Sequence, residues 1–584
     1  MSAAQMVTLD ADYGGILKDI APQWLFIIFS ILAIATPALW GGVVLNIFFG
    51  FFDSARYRLG RRQKPCYFFS ELHENSLELA KSLSLKNKGN CLCLFFGVGD
   101  GVDTELREEA KAEGFILKKD SEVFFLRNPK SLRREQYYFE ISRDQDANIS
   151  HARKLVEEYS GKYGDADWRF LKIFVFSEQK ETPLAISSID KKGIPVQIVD
   201  KNRFFAYDLF FRQPLYSALS GNEKTISLLV LGGTEMAKTL FKTALWCGQL
   251  GSAYKLKVAL MDSSADLVEA QLRLECPEIF AGGYDTAFVN ADAKSFALVE
   301  ALNSKCSDVN YICVCFDNDE VNIETALRLR LYRQKSVIAV CVKDRAKNEL
   351  LPEFSVVAKE RRNRQNFDVA TERRFGYNLV PFGGDNQLYS CALVDSELAK
   401  LAFNVHYAYE VAFDSSVSES KVRKQYWENE INLRSDRANA LHIRCKLFAL
   451  GYDILPRELA SPAQIEESEK LLGELRQKIA AAVDSDNPWL AMLEHDRWRA
   501  FMESEGWRPL SLEGAKACGS HKDVRAKLHA CLCPWDSLDA FKEYDPNFKE
   551  YDKRLVRDIP VLLGLSDGVE NISRVKYALV RGAL

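Results

Sequence analysis

Near its C-terminal end the chain gathers His495, Arg497, Trp498, Arg499 and, a little further on, Trp507. Together these residue types suit a flat heterocycle that carries phosphate. An indole stacks on a base, a guanidinium pairs with a phosphate, and an imidazole reads a ring edge or a ribose hydroxyl. At helical spacing Met492, His495 and Arg499 share one side, while Glu494, Trp498 and Phe501 share the next. Arg444, in the apolar-faced segment ANALHIRCKLFALGYDI, and His529, in LHACL, complete the candidate ligand-binding set. The competing reading makes the indoles core residues and His495 a satisfied buried histidine.

A second constellation could hold a dinucleotide. TISLLVLGG reads as a strand running into a glycine turn, TEMAKTLFKTALWCGQ as a helix, and KLKVALMD as a strand ending in an acid. In such a unit, glycines admit a pyrophosphate, the helix N-terminus offers free N–H groups, and the acid takes the ribose hydroxyls. The candidates are Gly232, Gly233, Thr234, Asp262 and, one strand later, Asp292. The pattern departs from G-x-G-x-x-G at Thr234, and Glu235 adds negative charge beside it. Two readings stay open, a retained ligand and a structural or dimerising unit. The cluster Gly97, Gly99 and Gly101 hints at a diverged copy upstream. Neither unit offers an acid–base pair for hydride chemistry. No catalytic residue, metal site or certain cofactor is assigned, and the chain is expected to bind rather than catalyse.

These side chains need several folded units to position them. At 584 residues, with roughly 150 per domain, three or four units are expected. Composition is that of globular protein, 47% hydrophobic and 27% charged. A net charge of −4 gives no footprint for a nucleic-acid duplex. Strands of apolar residues alternate with helices, predicting an α/β class with two Rossmann-like units on parallel sheets, at 89–218 and 222–385. Residues 395–584 lose that rhythm and hold five of the seven histidines and five of the nine tryptophans. That composition predicts a mainly helical C-terminal domain. A basic linker is expected at 53–88.

From Ala21 to Phe52 the chain carries no charge. A helix of about 20 apolar residues crosses roughly 30 Å of hydrocarbon, so 21–52 is expected to hold one span, near Trp24–Leu45, with an interfacial extension. Arg56, Arg58, Arg61, Arg62 and Lys64 follow it, whereas only Lys18 precedes it. The positive-inside rule then leaves residues 1–20 outside and the bulk in the cytoplasm, at the inner membrane. The 14 cysteines, with pairs such as Cys313 and Cys315 inside strand-like runs, fit buried thiols in a reducing compartment.

The segment VLGGTEMA (230–237), with Asp262, VNAD ending at Asp292 and FDNDEVN (316–322), resembles the TrkA-N or RCK family. In that family such domains regulate potassium channels and transporters and take an adenine nucleotide. The C-terminal region resembles the RyR domain, the repeat named from ryanodine receptors. The matching residues are Glu494-His495-Asp496-Arg497-Trp498, Gly506-Trp507, Leu528-His529 and Tyr551-Asp552 with the following Leu-rich helix, although Ala530 stands where the family has proline. This second resemblance implies an adenine-nucleotide or cyclic-nucleotide ligand in a Trp-lined pocket. Together they imply a homo-oligomeric, membrane-anchored nucleotide sensor. Its roles would be an antiviral defence effector served by a signal-producing enzyme encoded nearby or, alternatively, a subunit that gates a channel or transporter.

Overall fold

The computed structural model describes residues 56–351 and 379–582, apart from 100, 120–126, 165, 180–181, 282, 415 and 567–574. The expected membrane segment 21–52 lies outside the described residues. Among those described, no helix is long and apolar enough to cross a membrane.

Two six-stranded sheets dominate. The first contains β1 (Cys66–Phe69), β2 (Leu92–Phe95), β3 (Ile116–Leu117), β4 (Gln136–Glu140), β5 (Leu171–Phe176) and β6 (Val196–Val199), ordered β3-β2-β1-β4-β5-β6. The second contains β7 (Thr225–Leu231), β8 (Lys255–Asp262), β9 (Asp285–Asn290), β10 (Tyr311–Val314), β11 (Val337–Cys341) and β12 (Leu379–Phe382), ordered β12-β11-β10-β7-β8-β9. Every pairing in both sheets is parallel. Both thus have the doubly wound 3-2-1-4-5-6 order, with a crevice where strand order reverses. Helices cover both faces, which is why strands such as YICV and VIAVC are buried throughout.

The first unit begins earlier than the sequence suggested. Residues 66–88, read as linker, hold β1 and helix α1 (Glu74–Lys86), and β1 pairs with both β2 and β4. The basic run before Cys66 hid a strand of only four residues, too short to show a period. The glycines Gly97, Gly99 and Gly101 consequently follow the second strand. The first turn of that unit is Ser70–His73, which has no glycine.

The two units repeat each other in detail. On helix α2 (Gln145–Tyr163), Asn148 bonds the backbone N–H and carbonyl of Ser142 and the carbonyl of Phe176. After β10, Asn322 does the same with Phe316, six residues back as before, and with Cys341. The helices that follow the two first strands, α1 and α3 (Glu235–Cys247), each have 13 residues.

The longer helices of the C-terminal domain are α4 (Glu397–Phe413), α5 (Glu419–Glu428), α6 (Glu430–Ala449), α7 (Pro462–Val483), α8 (Trp489–Ser504) and α9 (Phe548–Arg557). An antiparallel pair of β13 (Tyr452–Pro456) with β17 (Tyr577–Arg581) joins them, as does a small sheet of β14 (Arg508–Pro509), β15 (Lys522–Asp523) and β16 (Leu528–His529). One core runs through all three parts. Trp246 on α3 makes edge contacts with Tyr207 of the first unit at 5.5 Å and with Phe501 of α8 at 5.9 Å. Gly506, which ends α8 at φ 82°, sits where a Cβ would lie 2.7 Å from the Glu275 carbonyl. The Gly-Trp step therefore docks the helical domain on the second α/β unit.

Candidate functional site

A cavity of about 350 Å³ opens between α4, α6, α8, α9 and the small sheet. Its floor is a buried charge knot. Glu494 on α8 accepts hydrogen bonds from Arg497 Nη2 at 2.5 Å and Asn439 Nδ2 at 2.7 Å, and Lys446 Nζ lies 2.7 Å away. The three charged side chains are each 1% exposed. Burial alone would raise the Glu494 carboxyl, but Arg497 and Lys446 hold it down at about 2.

Four imidazoles, those of His406, His495, His521 and His529, stand around the cavity. His495 Nε2 donates to the Cys533 carbonyl at 2.9 Å, and Nδ1 lies 3.1 Å from Asp552. A carbonyl can only accept, so the second proton of this pair is shared between Nδ1 and the carboxylate. Burial opposes the imidazolium, yet Asp552 raises the His495 value. His406 pairs through Nδ1 with Asp436 at 3.0 Å. His529 differs: its Nδ1 accepts from the Cys531 N–H, and burial followed by His521 and Lys522 pushes it down to about 3. It is neutral, with its proton on Nε2.

Aromatic rings make the walls. Trp498 stacks at 5.9 Å on His495 and meets His529 edge-on at 5.1 Å; Tyr409 and Tyr551 lie 5.2 Å apart. Lys522, opposite His529 in the small sheet, stands exposed on the lining. Three buried polar atoms on lining residues bond to nothing among the described residues: His406 Nε2, Asn439 Oδ1 and Arg497 Nη1. A buried polar atom left unpaired costs about 1–3 kcal/mol, so these three atoms call for partners from outside the chain, water or a ligand.

Of the predicted residues, His495, Arg497, Trp498 and His529 meet here. Three do not line the cavity. Arg444 forks onto Asp453 at 3.0 and 2.9 Å and donates to the Phe211 carbonyl at 2.7 Å, clamping α6 to β13 and the first unit. Arg499 turns toward Asp496 and Glu503, at 3.6 and 3.7 Å. Trp507, 2% exposed, backs His529 from the core at 6.2 Å. The sequence reading missed His406, Asn439, Asp436 and Tyr409. Their signal was a polar residue inside an apolar helix, as in LAFNVHYAYEV around His406.

The second α/β unit uses its candidate residues internally. Gly232 has φ 114°, and a Cβ there would lie 2.6 Å from the Cys315 carbonyl. A Cβ on Gly233 would press on Asp262 and Val268 at 3.2 Å. Thr234 caps α3 by accepting from the Ala237 N–H, and its hydroxyl donates to the Cys315 carbonyl at 2.9 Å. In the first unit His73, at the same place before α1, donates from Nε2 to the Ile141 carbonyl at 2.6 Å. Each unit thus latches its first helix across the reversal crevice to the end of its fourth strand. Asp262 accepts from the Ser264 N–H at 2.9 Å, and Asp292 from the Lys294 N–H at 2.8 Å, both local turns.

Fold and site define a doubly wound α/β protein with two repeated sheets and a helical domain that carries a polar, aromatic-walled pocket. No protein-family model matches the chain, and no curated protein does. Among solved structures, the GsuK RCK domain is similar at 12% identity and a TM-score of 0.28, covering 58% of this chain and 78% of that one. The GsuK channel bound to NAD is similar at 13% identity and 0.33, covering 79% and 81%.

Proposed function

We propose that the chain is a nucleotide-sensing regulatory protein whose helical domain binds an adenine-type base. The observation that carries this is the pairing of Asn439 and Arg497. Because the Asn439 amide must donate Nδ2 to the Glu494 carboxylate, its Oδ1 is left as a buried acceptor on a lining residue, while Arg497 Nη1 is left as a buried donor. One acceptor and one donor on the same lining complement the amine and ring nitrogen on one edge of adenine. Trp498 supplies the stacking face, and Lys522 at the lining supplies charge for phosphates. The volume lies within the range of small-molecule sites.

The α/β units act in this reading as a scaffold, since their crevices are latched by their own side chains. The apolar segment 21–52 anchors the chain in the inner membrane, and ligand binding in an oligomer is passed to it without turnover. Supplied by an enzyme that makes a signalling nucleotide, the same device would serve as an antiviral defence effector. A thermal-shift series with ATP, ADP, NAD, ADP-ribose and cyclic nucleotides tests the reading. Ligand at 100 times its Kd adds roughly 2.7 kcal/mol. The shift is expected to vanish in Trp498→Ala and persist in Asp262→Asn; the reverse pattern would move the site to the second α/β unit.

A further inference from the structure

A second cavity, of about 520 Å³, lies at the seam between the first α/β unit and helices α4 and α5. Six lysine and arginine side chains line it against two aspartates. Both acids are already engaged: Asp167 holds Arg169 at 2.7 Å, and Asp395 holds Lys86 at 2.9 Å as well as Lys400. Arg423 is likewise held by Glu419 at 2.6 Å, so the lining cations that face a ligand are Lys172 and Lys421.

Lys172 is the unusual member. It sits near the start of β5, opposite Tyr137 of β4 and on the same side of the strand as Phe174. Its ammonium lies 4.5 Å from the Phe174 ring and 4.8 Å from the Trp427 ring. Among the described residues no carboxylate pairs with it. Burial and then Arg437 push its value well below that of an ordinary lysine. With no anion of the protein beside it and burial set against its charge, the amine gains its proton most readily when a phosphate lies next to it. Facing it, the first turn of α5 brings Ser418, Ser420 and the exposed Lys421 to the lining. Hydroxyls, a helix start and lysines around a half-enclosed space suit phosphate oxygens, while Trp427 and Tyr426 offer ring surfaces beside them.

We infer that this seam is a second binding site, distinct from the helical-domain pocket, for a small phosphate-bearing molecule whose phosphate lies between Lys172 and the first turn of α5. The two cavities share a wall. Tyr426 lines the basic one, and its ring lies 5.1 Å from His406, which lines the other.

The test is calorimetric titration of the detergent-solubilised full chain with sodium pyrophosphate at constant ionic strength, with sodium sulfate as control. One saturable site per chain is expected, with no matching response to sulfate. Lys172→Met replaces a half-buried cation by an apolar chain of similar shape, and Lys421→Glu changes an exposed side chain; each should weaken pyrophosphate at least tenfold. Lys522→Glu, at the other pocket, should leave the affinity unchanged. No saturable binding, unaltered affinity in both Lys172→Met and Lys421→Glu, or a loss seen only in Lys522→Glu would overturn the assignment.

Discussion

Asn439 and Arg497 meet on a single oxygen. The amide Nδ2 and the guanidinium Nη2 both donate to Glu494 Oε1, at 2.7 and 2.5 Å. That shared anchor fixes two side chains from different helices, α6 and α8, and leaves one acceptor, Asn439 Oδ1, and one donor, Arg497 Nη1, unpaired on the cavity lining. The pocket's recognition edge is thus built by a carboxylate that is only 1% exposed.

Removing that carboxylate should break the knot. Glu494→Gln leaves Arg497 and Lys446 buried without a counter-charge, and breaking a buried pair in this way costs about 3–5 kcal/mol. Chemical denaturation should show the loss, together with loss of ligand binding in whatever fraction stays folded.

The same carboxylate predicts acid sensitivity. Its folded value of about 2 lies below the ordinary carboxylate value, so its contribution is complete above pH ~4.5 and disappears as pH falls toward 2. The size is on the order of 3 kcal/mol. Unfolding free energies across that window should fall in the wild type and stay flatter in Glu494→Gln.

His406 predicts the opposite slope. Burial opposes its imidazolium, but Asp436 at 3.0 Å raises the value above that of a free histidine. The contribution is then complete below pH ~6.5 and is lost as pH rises through the raised value. The stability advantage of wild type over Asp436→Asn should be larger at pH 5.5 than at pH 8.5, and a constant difference would contradict the pairing.

The latch in the second α/β unit should matter for stability and not for the pocket. Thr234→Val removes both the helix cap and the bond to the Cys315 carbonyl, a loss of about 1–2 kcal/mol. Gly232→Ala should be worse, since its Cβ would meet that same carbonyl at 2.6 Å in a left-handed backbone. Ligand affinity of folded Thr234→Val should match wild type.

Much of this was readable from residue patterns. Apolar strands alternating with helices indicated two parallel sheets, and the spacing of His495 and Trp498 on one helix indicated half of the pocket. The other half was hidden, because His406 and Asn439 lie on helices far away in sequence and only packing brings them to α8. Arg444 was misjudged for the same reason: its partners Asp453 and the Phe211 carbonyl become visible only when α6 meets β13 and the first unit. The glycines after β2 misled because sequence order alone does not reveal which strand comes first in a sheet. The Ser142/Asn148 and Phe316/Asn322 repeat was present in the spacing and passed unread, since a buried asparagine carries no hydrophobic period.

The most direct test compares two versions of one nucleotide, with adenine and with hypoxanthine, by calorimetry on the full chain. The exchange turns the amine facing Asn439 Oδ1 into a carbonyl, setting acceptor against acceptor. The account predicts at least a tenfold preference for adenine, about 1–3 kcal/mol for a mispaired buried group, and its disappearance in Asn439→Ala. Equal affinity for the two bases in the wild type would contradict it.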